Sequence, residues 1–502
     1  MMLERGSYWT RRLSFCFPCF GLLGSSSSSS SSSRRRRRRR RRGEMGARKK
    51  APKASPKKKS TTLQYLFDLD AIANGGGGGG CDSPSPKSET EELLSIISIC
   101  SFVFTFTDPE ESPAQQELKR HKLNQILSVV KSSRKPLEDR ILTPLFAMLR
   151  DNLFRPLPPP CNASVPSELL EEEELGSIYS PAWPHLVLVY DILHRLVLNI
   201  EPKILQTHID EPFLLNLLNL FNSEDRRERE ALKNIYHRVY SKFASHRSFM
   251  RKSMSDAFLH FVFESERHCG IGELLEIWGS IINGFALPLK EEHRQFLVKV
   301  LVPLHKPKGM QSYHRQLAYC VTQFVQKEPL LGGVVAKGIL RYWPHTNSQK
   351  EVLIIGEMEE LVEYIDPREF AKFAVPICSQ IARCMSSWNS QVAERALYIW
   401  NNEHFVKMAT QAMEQVLPAV VEALEKNLQW HWSKAIKQLT VDVKAMMEDM
   451  EPVLYSKCLQ EINLRTSASA QEEMRKLKWE RLEMAAATTL LASHSSSIPV
   501  SN

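Results

Sequence analysis

The sequence predicts an all-α fold, a curved solenoid of HEAT-like antiparallel helix pairs behind a disordered N-terminal tail. Three observations carry this prediction. Apolar residues recur at the spacing of amphipathic helices through most of the chain. The separators are Pro, Gly, Asn and Ser, and no alternating run bounded by hairpin turns occurs. Helix pairs recur at roughly the 40–47 residues of HEAT or armadillo arrays. A chain of 502 residues also exceeds the size at which one core stops growing, so it divides into domains or repeats.

In chain order, residues 1–88 read as a basic, low-complexity tail. Ser25–Ser33 and Arg34–Arg42 are homopolymer runs, a Lys/Pro/Ala/Ser segment follows, and Asn74–Ser88 holds six glycines. Such composition cannot bury enough apolar surface to fold. The arginine run reads as a nuclear import signal, a polyanion contact, or a solvated tail. Cys16 and Cys19 beside Arg11 and Arg12 are candidates for acylation. A helical repeat domain is expected over 89–465, a terminal helix over 466–490 and a disordered end over 491–502. Leu93–Phe106 is strongly apolar and passes for a strand, but a buried segment packed on the first helices fits better. Gln115–Lys131 carries an apolar stripe of Leu118, Leu123, Ile126, Leu127 and Val130. Leu137–Phe154 predicts a helix kinked before Pro144. Arg155–Glu174, rich in Pro and then in acid, predicts a surface loop. Pro184–Ile200 is apolar nearly all round and predicts an interior helix. Pro212–Asp225 ends in Asn-Ser-Glu-Asp, where one helix closes and the next is capped. Segments from Ser312 to Leu464 continue the pattern, and Arg475–Ala487 predicts a charged end helix.

The net charge of +9 belongs to the tail. Residues 1–60 hold 19 Lys/Arg and 2 Asp/Glu, leaving 47 basic (66 − 19) and 55 acidic (57 − 2) residues, a balance of −8, for the remainder. An acidic body argues against a fold that wraps nucleic acid. Ten cysteines lack zinc-type spacing. Cys269, Cys320, Cys378, Cys384 and Cys458 lie in apolar helical segments and read as buried free thiols of a reducing compartment. No run reaches the roughly 18 apolar residues of a membrane span. Phe15–Leu23 is followed by polyserine rather than a cleavage site. These features place the protein in the cytoplasm, the nucleus or both. No catalytic constellation appears: no phosphate loop, HExxH or GxSxG occurs, and the doublets Glu291–Glu292 and Glu359–Glu360 fit a solvated helix face. The expected protein is not an enzyme and needs no cofactor or metal.

Polar residues bunch in the stretch from Glu228 to Lys308. His237 and Tyr240 are three apart and share a helix face, as do Ile277 and Ile281, four apart. If those faces meet, an apolar slot forms with His237 at its edge. Arg238 falls toward the rim, and Arg247, Lys290 and His293 can stand near the opening. Such a slot suits a peptide with aliphatic anchors and an acidic or phosphorylated residue. From periodicity alone the same residues fit an ordinary core beneath a wet, charged surface better.

The segments HRVYSKF, GSIINGFALPLKEEH, PLHKPK, LAYCVTQFV, QVAERALYIWNNEH and HWSKAI resemble the B-prime regulatory subunits of protein phosphatase 2A, from about Glu117 to Glu480. The resemblance implies a curved HEAT-like array that joins the phosphatase scaffold and catalytic subunits and selects substrates. It further implies a concave groove for short motifs of the form Leu-x-x-Ile-x-Glu. In that reading His237, Arg238, Tyr240 and Arg247 form the first helix of the pocket. Ile277 and Ile281 form its floor, and Lys290 and His293 its basic side. An acidic patch for basic residues downstream of the motif would include Glu351, with Glu357, Glu359 and Glu360 as candidates. Departures from the family pattern are Trp278, where Leu is typical, and Gly332–Gly333, expected to loosen a segment between helices. The expected function is therefore a non-catalytic regulatory subunit of a serine/threonine phosphatase, recruiting substrates by short linear motifs. An importin-like transport or scaffold adaptor, or a polyanion-binding protein acting through the arginine tail, are the alternatives. The basic rim has the wrong sign for an importin groove, which uses acidic residues and Trp/Asn ladders for basic cargo.

Overall fold

In a computed structural model, residues 86–106, 112–132, 137–157 and 180–495 are described. The readings made for the polyserine, polyarginine and polyglycine segments, for Cys16 and Cys19, for most of the Arg155–Glu174 loop and for 496–502 lie outside them.

The described residues form helices and turns, with no strand among them. In order these are α1 (Pro86–Cys100), α2 (Pro113–Ser132), α3 (Asp139–Leu153), α4 (Trp183–Asn199), α5 (Pro202–Leu205), α6 (Glu211–Asn219) and α7 (Arg226–Lys242). Then come α8 (Arg247–His260), α9 (Ile271–Asn283), α10 (Glu291–Phe296), α11 (His314–Lys327), α12 (Gly332–Arg341), α13 (Ser348–Val362) and α14 (Pro367–Ala371). The series ends with α15 (Ala374–Met385), α16 (Ser390–Tyr398), α17 (Glu403–Ala409), α18 (Met413–Trp430), α19 (Lys434–Met450) and α20 (Pro452–Ser495). Many start where the sequence supplies a cap. Asp210, Asp225, Asn347, Asp366, Asn389 and Asn402 each accept a backbone N–H of the first turn.

Helices stack in two layers. One runs α2, α4, α7, α9, α11, α13, α16 and α19, each in contact with the next. In the other, α6 meets α8, α8 meets the π turn after α10, and α12, α15, α18 and α20 follow in contact. This is a solenoid of helix pairs, as the apolar period predicts. A continuous core runs between the layers from Ile96 to Cys458. The period is visible in hydrogen bonds that skip one repeat. Lys242 Nζ donates to the Val197 and Ile200 carbonyls, Lys327 Nζ to Asn283 and Phe285, Lys350 Nζ to His305 and Pro307, and Asn427 to Met385. Each spans 42 to 45 residues. The lysines satisfy carbonyls that a helix end leaves without a partner.

Several local expectations need correction. The Leu93–Phe106 run is helical only to Cys100. Beyond it the chain opens out, and Phe102 and Val103 are exposed. The helix expected around Pro144 forms as α3, with the proline inside it. Gly332 does not loosen anything: it opens α12 in the core, where a Cβ would stand 2.5 Å from Ile365 Cγ1. The thiols of Cys320, Cys378, Cys384 and Cys458 are free and buried, but Cys269 is only half-buried. The end helix begins earlier than expected. α20 is one 44-residue helix whose residues 463–488 are all exposed.

Candidate functional site

α7 buries Leu232, Ile235, Tyr236 and Val239 along one stripe, which fixes where its other residues point. His237 and Tyr240 lie beside that stripe, half-buried, and Arg238 is exposed. The imidazole Nε2 of His237 is 2.9 Å from the Ser280 hydroxyl on α9. That contact brings the two helix faces singled out in the sequence together at one seam. Ile277 and Ile281 flank Ser280 but are only 1% and 5% exposed. They belong to the core at the base of the seam rather than to an open floor. Trp278 is buried as well, with its ring stacked 3.7 Å from that of Phe296.

The basic residues meet through two groups that sequence reasoning missed. Arg247 donates from Nε to the Tyr240 carbonyl at 2.9 Å and from Nη2 to the Ser241 carbonyl at 2.7 Å. It thus closes the C-terminal end of α7, and its guanidinium lies 5.6 Å from the centre of the Tyr240 ring. Arg251, one turn further along α8, donates to the Tyr240 hydroxyl at 3.1 Å and reaches Glu292 at 3.9 Å. The same Glu292 carboxylate stands 3.4 Å from His293 and 4.0 Å from Lys290. Tyr240, Arg247, Lys290 and His293 therefore join one cluster, with Arg251 and Glu292 as its links. Arg251 follows Arg247 by four residues, a spacing that marks a shared helix face. Glu292 was visible only as half of a doublet.

Electrostatics differ along the cluster. Burial pushes the His237 imidazole below its ordinary range, and the neighbouring Arg238 adds to this. Burial does the same for His293, against the opposing pull of Glu292. The His293 ring stacks 3.6 Å from Phe285, and its Nδ1 has no partner. Both histidines thus sit as neutral rings at neutral pH, and His237 hydrogen-bonds Ser280. Positive charge comes from Arg238, Arg247, Arg251 and Lys290, with Lys290 open to solvent at 74% side-chain exposure.

The expected acidic patch divides. Glu351 and Glu357 are buried and cannot face a ligand. Glu351 accepts the Trp343 indole N–H at 2.9 Å. Glu357 lies 3.1 Å from His305 and 2.9 Å from His314. A carboxylate inside a repeat stack needs such partners, since an unpaired buried charge is costly. Glu359 is half-buried and pairs with Arg395 at 2.6 Å, and Glu360 is exposed. Burial, with Glu357 nearby, raises the Glu360 carboxyl above its ordinary range.

Comparison with known proteins gives a consistent picture. The sequence profile of the family described as "Protein phosphatase 2A regulatory B subunit (B56 family)" matches residues 81–486. The chain is 46% identical over 391 residues to the B' beta isoform of the serine/threonine protein phosphatase 2A 57 kDa regulatory subunit of Arabidopsis thaliana, covering 77% of this chain and 78% of that one. It is 45% identical over 402 residues to the B' alpha isoform of the same plant, covering 79% and 81%. It is 46% identical over 411 residues to the B' kappa isoform of Oryza sativa subsp. japonica, covering 81% and 80%.

Proposed function

The chain belongs to the B56 family of protein phosphatase 2A regulatory proteins, and from that premise we propose that it recruits substrates through the seam between α7 and α9. The repeat domain would join a phosphatase scaffold subunit and catalytic subunit. A short motif of the Leu-x-x-Ile-x-Glu kind would enter between His237 and the α10 turn. Its aliphatic side chains would press on the ground above Ile277 and Ile281, and its glutamate, or an adjacent phosphate, would meet the Arg and Lys side chains. The single observation that carries this reading is the His237–Ser280 contact, because it sets the basic face of α7 against the helix that bears both isoleucines. Glu359 and Glu360 are the remaining candidates for contact with basic residues downstream of the motif. The proposed gain is local concentration: a weak motif held in the groove keeps its protein beside a neighbouring active site. The Arg34–Arg42 run is proposed to favour a nuclear as well as a cytoplasmic location.

Titration of an acidic-motif peptide into the chain tests the groove. Replacing His237 and Arg238 together by Ala is expected to weaken binding at least tenfold, about 1.4 kcal/mol. Unchanged affinity in the double variant removes the groove assignment while leaving the family membership in place.

A further inference from the structure

We propose that one edge of the repeat stack is a membrane-docking surface, on which a row of helix turns lies against a bilayer bearing anionic lipid. The row consists of the four turns that lead into α11, α13, α16 and α19, and it shares no residue with the α7–α9 seam. Each turn is tied to the next. Lys350 Nζ, in the first turn of α13, donates to the His305 and Pro307 carbonyls. Arg383 Nη2 lies 2.9 Å from His345 Nδ1. His431 Nε2 is 3.2 Å from the Ser387 carbonyl, and the Trp432 indole N–H donates to the Trp388 carbonyl at 3.0 Å. Packed helices stand about 8–10 Å apart, so four turns in succession span roughly 30 Å.

The row is positive, although the body beyond the tail is acidic on balance. Stretches 293–327, 329–350, 370–393 and 426–441, which contain the four turns, hold no Asp or Glu. Lys306, Lys308, Arg341, Arg383 and Lys434 are exposed on them. None of these five pairs with a carboxylate among the described residues. α11, α16 and α19 also begin without an acidic residue in the first turn, so nothing there offsets the positive end of the helix dipole. The turn before the row differs. Glu264 and Glu266 are exposed on it, and the positive strip starts at Lys306.

Tryptophan crowds the far end of the row. Trp388, Trp430 and Trp432 are 67%, 69% and 65% exposed on two adjoining turns, although indoles are ordinarily well buried. A cluster of large apolar side chains in water marks a surface that another body covers. Charge complementarity makes that body anionic. A row of turn tips offers it a front rather than the groove that holds a short peptide. Indole rings settle at the headgroup level of a bilayer, where one part of the ring is apolar and the other wet, and basic side chains nearby are drawn to anionic lipid. Single-stranded nucleic acid calls for aromatic rings spaced among the cations, to stack successive bases, whereas these three are bunched at one end. Stable membrane attachment takes two signals, and the sequence carries a second in its tail. Arg34–Arg42 is a polycation, and Cys16 and Cys19 are candidates for acylation.

The test uses the full-length chain with every residue of Arg34–Arg42 replaced by Ser, so that the tail does not mask the row. The probes are vesicles of phosphatidylcholine alone or with about one-third phosphatidylserine. Co-sedimentation is expected with the anionic vesicles only. Arg383→Glu with Lys434→Glu should weaken it about fivefold or more. Lys306→Glu with Lys308→Glu, at the other end of the row, should act in the same direction and serves if the first pair does not fold. Trp388→Ser with Trp430→Ser should weaken binding about threefold and should reduce the quenching of tryptophan emission by brominated lipid. His237→Ala with Arg238→Ala should leave vesicle binding unchanged, which keeps this surface distinct from the motif seam. Equal binding to both kinds of vesicle, or full binding by both charge-reversed pairs, overturns the proposal. Absence of binding to either vesicle also overturns it. Capture of poly-glutamate in their place, lost in the same variants, assigns the row to an acidic protein instead.

Discussion

At the scale of single residues, the pair His305–Glu357 yields the sharpest pH prediction. Burial draws His305 toward neutrality, but the Glu357 carboxylate and its hydrogen bond outweigh this and raise the imidazole above its ordinary range. Burial also opposes charge on Glu357, yet His305, with hydrogen bonds from His305 and His314, holds its carboxyl down at about 2. A raised histidine contributes stability that is complete below its unfolded value of about 6.5 and is lost as pH climbs through the folded value. A depressed carboxyl contributes stability that is present above about 4.3 and fades as pH falls toward 2. Thermal melting from pH 6 to pH 9 should therefore show a decline that His305→Phe removes. Glu357→Ala should cost about 3–5 kcal/mol near neutrality, because it strands buried donors, and denaturant titration measures this. Glu292 offers a second check. It faces Arg251, Lys290 and His293 across 3.4 to 4.0 Å while about half exposed. Such pairs are worth up to about 1 kcal/mol, so Glu292→Gln should tighten an acidic peptide by about two- to fivefold, measured by calorimetry. The sequence exposed the cationic members of this cluster because they recur at helical spacing. It hid Glu292 and Ser280, whose importance arises from neighbours some 40 residues distant. It also misplaced Glu351 and Glu357, since one sequence cannot say that a glutamate in a helix faces inward toward Trp343 or two histidines.

At the scale of elements, glycines decide how closely the helices approach. A Cβ on Gly338 would run into Val302 Cγ1, and one on Gly332 would stand 2.5 Å from Ile365. Both glycines lie in α12, where Ala would normally favour the helix by about 1 kcal/mol. Overpacking costs about 1–3 kcal/mol, so Gly338→Ala and Gly332→Ala should both lower the midpoint of urea unfolding despite the better propensity. Helix existence was legible from apolar stripes, as in α2, and the start of α7 from the Asn-Ser-Glu-Asp stretch whose Asp225 caps it. Close approach between helices was not, which is why Gly332–Gly333 read as a loose joint. Leu93–Phe106 misled for a related reason: apolar residues continue past Cys100 without a Gly or Pro, so nothing marks where α1 stops and the open segment begins.

At the scale of the molecule, the stack gains its stability from contacts between adjacent repeats. Residues 463–488 of α20 are exposed throughout, so removing 466–502 should leave the melting temperature of the body nearly unchanged, as circular dichroism would report. Deleting 1–60 removes a charge of +17 (19 − 2) and, if assembly resides in the repeats, should leave co-purification with phosphatase subunits intact. The repeat period was readable from the spacing of apolar segments, and the structure narrows it through bonds that reach from Lys242, Lys327, Lys350 and Asn427 to carbonyls 42 to 45 residues earlier. Those tethers behave like the teeth of a rack. One residue added within a helix turns everything beyond it by about 100°, which swings the next lysine away from its socket and forfeits the bond. Length changes should accordingly be tolerated at the ends and in the outer turns, while inside the toothed segment evolution is left with substitution alone.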